Sequence, residues 1–173
     1  MEIGGKDVSN WSLLMMLFGA LMFVSMFLSA IDVKVFDNGY AISGLELLTG
    51  GFVIGPYEIG TDSMGPMRLI PSVCGIIGIL TVAYSVCSIV MDLNNNKVMT
   101  VVSLCQTVTL LLMVMFLMSG ISVEMFTGDV RNILFGLGAE VVPMFGTYMG
   151  IFATFLCGMS STYRLRECMN VQQ

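Results

Sequence analysis

The chain has 173 residues, of which 56% are hydrophobic and only 11% charged, with a formal net charge of −5. Soluble domains carry about 25% charged residues, so this composition points to lipid, and an acidic chain lacks the basic footprint that nucleic acid requires. Histidine is absent, which excludes Ser–His and Cys–His nucleophilic arrangements; with no CxxC pair either, zinc is not expected.

Four apolar stretches, residues 11–31, 69–90, 98–118 and 141–159, set the expectation for the fold. A helix needs ~20 mostly apolar residues to cross ~30 Å of hydrocarbon, and each stretch is about that long. The predicted fold class is an all-α membrane protein, a four-transmembrane-helix bundle forming a single domain over residues 1–173. The first stretch exceeds the ~7–15-residue core of a secretory signal, and only Lys6 precedes it, beside Glu2 and Asp7, so it reads as a retained helix. An outer segment, 32–68, follows with seven glycines. It opens on Ile31-Asp32-Val33-Lys34-Val35, whose alternation places one set of side chains on one face of a strand. Asp37-Asn38-Gly39 is a turn signal, because Asn-Gly accepts the positive φ that a tight hairpin demands. The segment reads either as a compact extracytoplasmic cap of short strands or as an irregular glycine-rich loop on the membrane surface.

Stretches 69–90 and 98–118 are joined by the short turn Leu93-Asn94-Asn95-Asn96-Lys97. The end of the third stretch, with Ile121, Val123 and Met125 beyond it, echoes the end of the first, with Ile31, Val33 and Val35. The echo reads as a two-helix unit used twice in parallel orientation, or as chance similarity between two membrane exits. The second outer segment, 119–140, holds Val130-Arg131-Asn132-Ile133-Leu134-Phe135-Gly136, expected as a short surface helix behind the turn Thr127-Gly128-Asp129. Four spans bring both termini to one side. Lys6, Lys97, Arg164 and Arg166 lie there, against Lys34, Arg68 and Arg131 opposite, so the rule that counts Lys and Arg places both termini in the cytoplasm.

This layout resembles that of claudin-like four-helix proteins, in which a long first outer loop carries strands and a shorter second loop follows the third helix. Ile42-Ser43-Gly44-Leu45-Glu46-Leu47-Leu48-Thr49-Gly50 and Gly146-Thr147-Tyr148-Met149-Gly150 also look like segments of small prokaryotic four-helix integral membrane proteins. The paired loop cysteines and the loop tryptophan of claudins are missing here. The resemblance therefore implies a fold and no paracellular sealing, and no functional residue is carried over.

Candidate residues are few. Gln106 is the most polar residue deep in a span and needs a partner, which marks an interhelical contact or, less simply, a solute site. Gly146 and Gly150 have GxxxG spacing, and Gly75 and Gly78 lie three apart; such small faces let backbones approach, within the chain or between copies. Arg68 and Glu140 share the outer boundary and are candidates for an interfacial ion pair. Met22 and Met26 stack at i, i+4, yet they sit among Leu and Phe and read as gap-fillers rather than copper ligands. No catalytic, cofactor-binding or metal-binding residue is expected, and no enzyme activity. The expected role is a structural, scaffolding or accessory subunit. It would work through its outer cap and small-residue helix faces, with the lipid bilayer and other membrane proteins or itself as partners and no nucleic acid. The alternative is a small channel or transporter for a neutral or metal solute, built at the interface of the two-helix repeats. A stripe through Gln106 facing a cavity favours the alternative; Gln106 buried in a helix contact favours the scaffold.

Overall fold

In the computed structural model, residues 2–3, 6–36, 38–91, 95–120 and 125–171 are described. A two-residue strand pair, β1 (Glu2–Ile3) and β2 (Lys6–Asp7), leads into Ser9, whose side chain accepts from the Trp11 amide and starts α1 (Asn10–Ser25). The chain then enters β3 (Ser29–Val35) and returns in β4 (Asn38–Ser43). Ser43 and Glu46 form a reciprocal capping box that ends β4 and begins α2 (Gly44–Thr49). A hairpin of β5 (Phe52–Ile54) and β6 (Tyr57–Ile59) and two single 3-10 turns lead to α3 (Ile70–Met91). Asn95 caps α4 (Asn96–Met115) through the Lys97 and Val98 amides. After a π turn at Phe116–Gly120 come α5 (Gly128–Gly136), β7 (Glu140–Pro143) and α6 (Phe145–Val171).

The four-span bundle expected from the sequence does not form. Among the described residues, two helical stretches are long and apolar enough to cross a membrane, Pro66–Met91 and Asn96–Met118. At ~1.5 Å per residue, the 16 residues of α1 give about 24 Å, short of the ~30 Å hydrocarbon core. The 27-residue α6 is long enough, but Gly146, Thr147, Tyr148, Gly150, Thr154 and Gly158 dilute its apolar run, and Arg164, Arg166 and Glu167 occupy its last third. Both misassigned stretches borrowed residues from a sheet. Ile31 stands opposite Pro143 and Val33 opposite Val141 in the antiparallel β3–β7 ladder. Burial in a small sheet asks for the same apolar side chains as burial in lipid, so these residues read as helix continuations.

The sheet has the order β4-β3-β7. Ala30, Ile31 and Val33 of β3 and Ile42 of β4 are buried. They join Met22, Leu47, Phe116 and Phe126 in one apolar core at the junction of cap and helices. Strands thus do form in the first outer segment, and α5 occupies the position expected for a surface helix. The turn, however, is displaced. Val35 pairs with Asn38, so Asn38 and Gly39 are strand residues, and the positive φ falls on Phe36, at 53°. Asp37 lies outside the described residues. The capping box ends β4 at Ser43, and Gly44 follows in a tight seat: a Cβ there would lie 3.0 Å from the Met26 carbonyl oxygen and 3.1 Å from Pro71 Cβ. Ile121 and Val123, half of the supposed repeat, also lie outside the described residues.

Among the helices, α1 packs on α3 and α6, α6 on α4, and α3 on α4. Their polarity is inverted relative to a protein in water. Leu80 and Val90 of α3 and Val101, Leu104 and Leu111 of α4 point outward, each 59–62% exposed. Thr81, Ser85 and Ser88 of α3, Gln106 and Thr109 of α4 and Thr154, Ser160 and Ser161 of α6 are buried. Several of the buried hydroxyls bond back to the preceding turn: Thr81 to Ile77, Ser85 to Thr81, Thr109 to Cys105, Thr154 to Gly150 and Ser160 to Leu156. This is how a helix hides hydroxyls without a partner chain.

Candidate functional site

The glycines singled out from the sequence all sit at close contacts inside the chain. A Cβ on Gly78 would lie 2.5 Å from the Gly19 carbonyl oxygen and 2.8 Å from Met22 Cβ, while one on Gly19 would lie 2.9 Å from the Gly78 carbonyl oxygen. The α1–α3 crossing is therefore a reciprocal glycine contact, with backbone against backbone. Gly75 faces Met26, 2.9 Å from a built Cβ. On α6, Gly146 meets the Leu28 and Ser29 carbonyls and Gly150 meets Met113 Cε and Ser25 Oγ. The GxxxG face is consumed inside the chain. Gly19, half of the tightest contact, escaped the sequence reading because its only signal is a lone glycine in an apolar run. Met22 and Met26 fill the space beside these glycines and are buried.

Gln106 is fully buried. Its Nε2 donates to Thr81 Oγ1 at 2.6 Å, and the Thr81 hydroxyl in turn donates to the Ile77 carbonyl at 2.8 Å. Since the hydroxyl proton is spent on Ile77, Thr81 can only accept, which fixes the amide orientation and turns Oε1 away. Oε1 is buried with no hydrogen-bond partner among the described residues. On the outer side, α4 and α6 form a groove of about 340 Å³ lined by Gln106, Thr107, Thr154, Phe155, Gly158 and Tyr163, among others. At the groove's end Ser103 and Thr162 share a hydrogen bond of 3.2 Å.

Arg68 and Glu140 do not meet. Arg68 Nη1 donates to the carbonyls of Leu47 and Leu48, both at 3.0 Å, and so ties the end of α2 to the start of α3. There it neutralises the negative end of a helix whose last carbonyls lack intrahelical donors. Glu140 opens β7 directly opposite Lys34 of β3. The remainder of the cap is stitched by backbone bonds, Gly65 N to Met125 O at 2.7 Å and Thr127 N to Ser63 O at 2.8 Å. These join the two outer segments.

The opposite end of the molecule is closed by side chains. Trp11 and Tyr163 stack with ring centroids 4.6 Å apart and planes 15° apart. Ser9 Oγ donates to Glu167 Oε2 at 2.5 Å, and Arg164 donates to the same oxygen at 3.0 Å. The start of α1 is thereby fastened to the last turns of α6.

Among the described residues, no three His, Cys, Asp or Glu side chains come together to hold a metal ion. The cap does carry large exposed apolar groups: Phe36 at the β3–β4 turn, Val53 on β5, Tyr57 on β6 and Phe135 near the end of α5. Set beside known proteins, the chain matches no family model, no curated protein and no solved structure.

Proposed function

We propose that this protein is a membrane-inserted accessory or scaffolding subunit without enzymatic activity. In this reading α3 and α4 cross the bilayer as a hairpin with α1 and α6 packed against it, and the cap is the extracytoplasmic recognition surface. The observation that carries it is the inverted polarity of the helices. Outward-facing Leu80, Val90, Val101, Leu104 and Leu111 cost free energy in water and none in lipid, at about 25 cal/mol per Å² of apolar surface. The short turn ending at Lys97, with Arg164 and Arg166, then faces the cytoplasm by the excess of Lys and Arg. Because the glycine faces are used internally, partner contacts fall to the cap and to the outer faces of α4 and α6. A solute path is the weaker fit: Gln106 borders the groove but is fully buried, with its amide nitrogen engaged by Thr81.

The test has two steps. Alkaline carbonate extraction of native membranes is expected to leave the protein in the pellet; release into the supernatant removes the membrane reading. Purification of the tagged full chain in nanodiscs, with mass determination and identification of bound chains, is expected to give a stable complex. A bare monomer would refute the subunit role.

A further inference from the structure

We infer that Phe36 is the anchor by which the cap binds a partner protein, inserting into an apolar pocket ringed by basic residues. This inference rests on the subunit reading and deepens it. Phe36 has a φ of 53°, the only positive φ on a non-glycine among the described residues, and its side chain is 76% exposed. The left-handed region is costly for a residue with a Cβ, and Asn, Asp or Gly would stand there more cheaply. An exposed phenyl ring returns nothing through burial. The fold therefore loses twice at this position, on backbone and on solvation, and a strained, exposed aromatic points to selection by something outside the fold.

Its placement suits an anchor. Phe36 follows β3 at the free end of the sheet, the end remote from α1. The α5–β7 turn reaches the same end, because Glu140 pairs with Lys34, two residues before Phe36. That turn is folded tightly on α5, with Ala139 N bonded to Leu134 O and Gly138 N to Phe135 O, and Phe135 is 78% exposed. Charge selects the partner. The two outer segments hold Asp32, Asp37, Glu46, Glu58, Asp62, Glu124, Asp129 and Glu140 against Lys34, Arg68 and Arg131. The Arg68 guanidinium is already spent on the α2 carbonyls. An acidic cap bearing an aromatic tip fits a basic rim around an apolar pocket, and repels an anionic membrane or an identical acidic cap.

The experiment places a photo-crosslinking phenylalanine analogue at position 36 of the full chain in native membranes. Alongside it, Phe36→Gly and Phe36→Asn are purified in nanodiscs. Both variants accept positive φ and are expected to melt at or above the wild-type temperature, so lost binding cannot be charged to misfolding. Partner retention is expected to fall about 30-fold in both, the loss typical of a hot-spot aromatic. Wild-type retention should weaken with rising salt, and the cross-link should map to an apolar pocket flanked by Lys or Arg. Undiminished partner retention by Phe36→Gly overturns the inference while leaving the subunit reading intact. So does a cross-link confined to lipid or to a second copy of this chain. A wild-type protein that retains no partner overturns both.

Discussion

Substitution of Gly78 by alanine gives the sharpest test of the helix packing. The new Cβ would sit 2.5 Å from the Gly19 carbonyl oxygen. Ordinary contact begins near 3.4 Å, so α1 and α3 must part by about 0.9 Å or bend locally. Because the obstacle is backbone, no rotamer change relieves it, and overpacking of this kind costs about 1–3 kcal/mol. Alanine recovers up to ~1 kcal/mol of helix propensity over glycine, which leaves a net loss of about 0–2 kcal/mol. Gly158→Ala is the internal control: its Cβ would be 3.7 Å from Gln106 Cβ, an ordinary contact, so the propensity gain should appear undiminished. Thermal unfolding in one detergent, followed by light scattering and tryptophan fluorescence, ranks the two against wild type. Gly19→Ala combined with Gly78→Ala should cost less than the sum of the single changes, because once the helices separate the second methyl finds room. If Gly78→Ala melts with or above Gly158→Ala, the reciprocal glycine crossing is wrong.

Three further outcomes are expected. Thr81→Val should destabilise by about 1–2 kcal/mol, because it leaves both ends of the buried Gln106 amide unpaired, whereas Gln106→Leu should lie within about 1 kcal/mol of wild type; equal losses in the melting series would contradict the assigned bond. Arg68→Ala removes two charge-assisted bonds to the α2 carbonyls at about 1.5–3 kcal/mol together, and amide exchange should rise in residues 45–51 while α3 and α4 stay protected; uniform deprotection would place Arg68 in the global core instead. Tyr163→Ala should shift the emission of the single tryptophan to the red and cost about 0.5–1.5 kcal/mol, and an unchanged spectrum would deny the Trp11–Tyr163 stack.

Composition and local pattern by themselves indicated two helices long and apolar enough to cross a membrane, the alternation of Ile31, Val33 and Val35 in a strand, and a helix over 130–136, which in the fold begins earlier, at Gly128. Each is a short-range property: the spacing of apolar residues, or a capping residue next to a run. Gln106 was also legible, since an amide amid apolar residues must find a donor or acceptor somewhere. What the tertiary structure decided were matters of partnership at a distance. Residues 29–31 and 141–143 are equally apolar in a span or in a sheet, and only their mutual pairing, more than a hundred positions apart, assigns them to the sheet. The turn lies at Phe36 rather than at Asn38-Gly39, because Val35 pairs with Asn38 and Val33 with Tyr40. The glycines could have served another chain as well as this one until Gly19, Met26, Ser29 and Met113 were found against them. Apolar side chains and small residues state how much they will bury or how closely they will approach. They do not state against what, because dispersion and exclusion from water carry no address, and only the assembled fold supplies one.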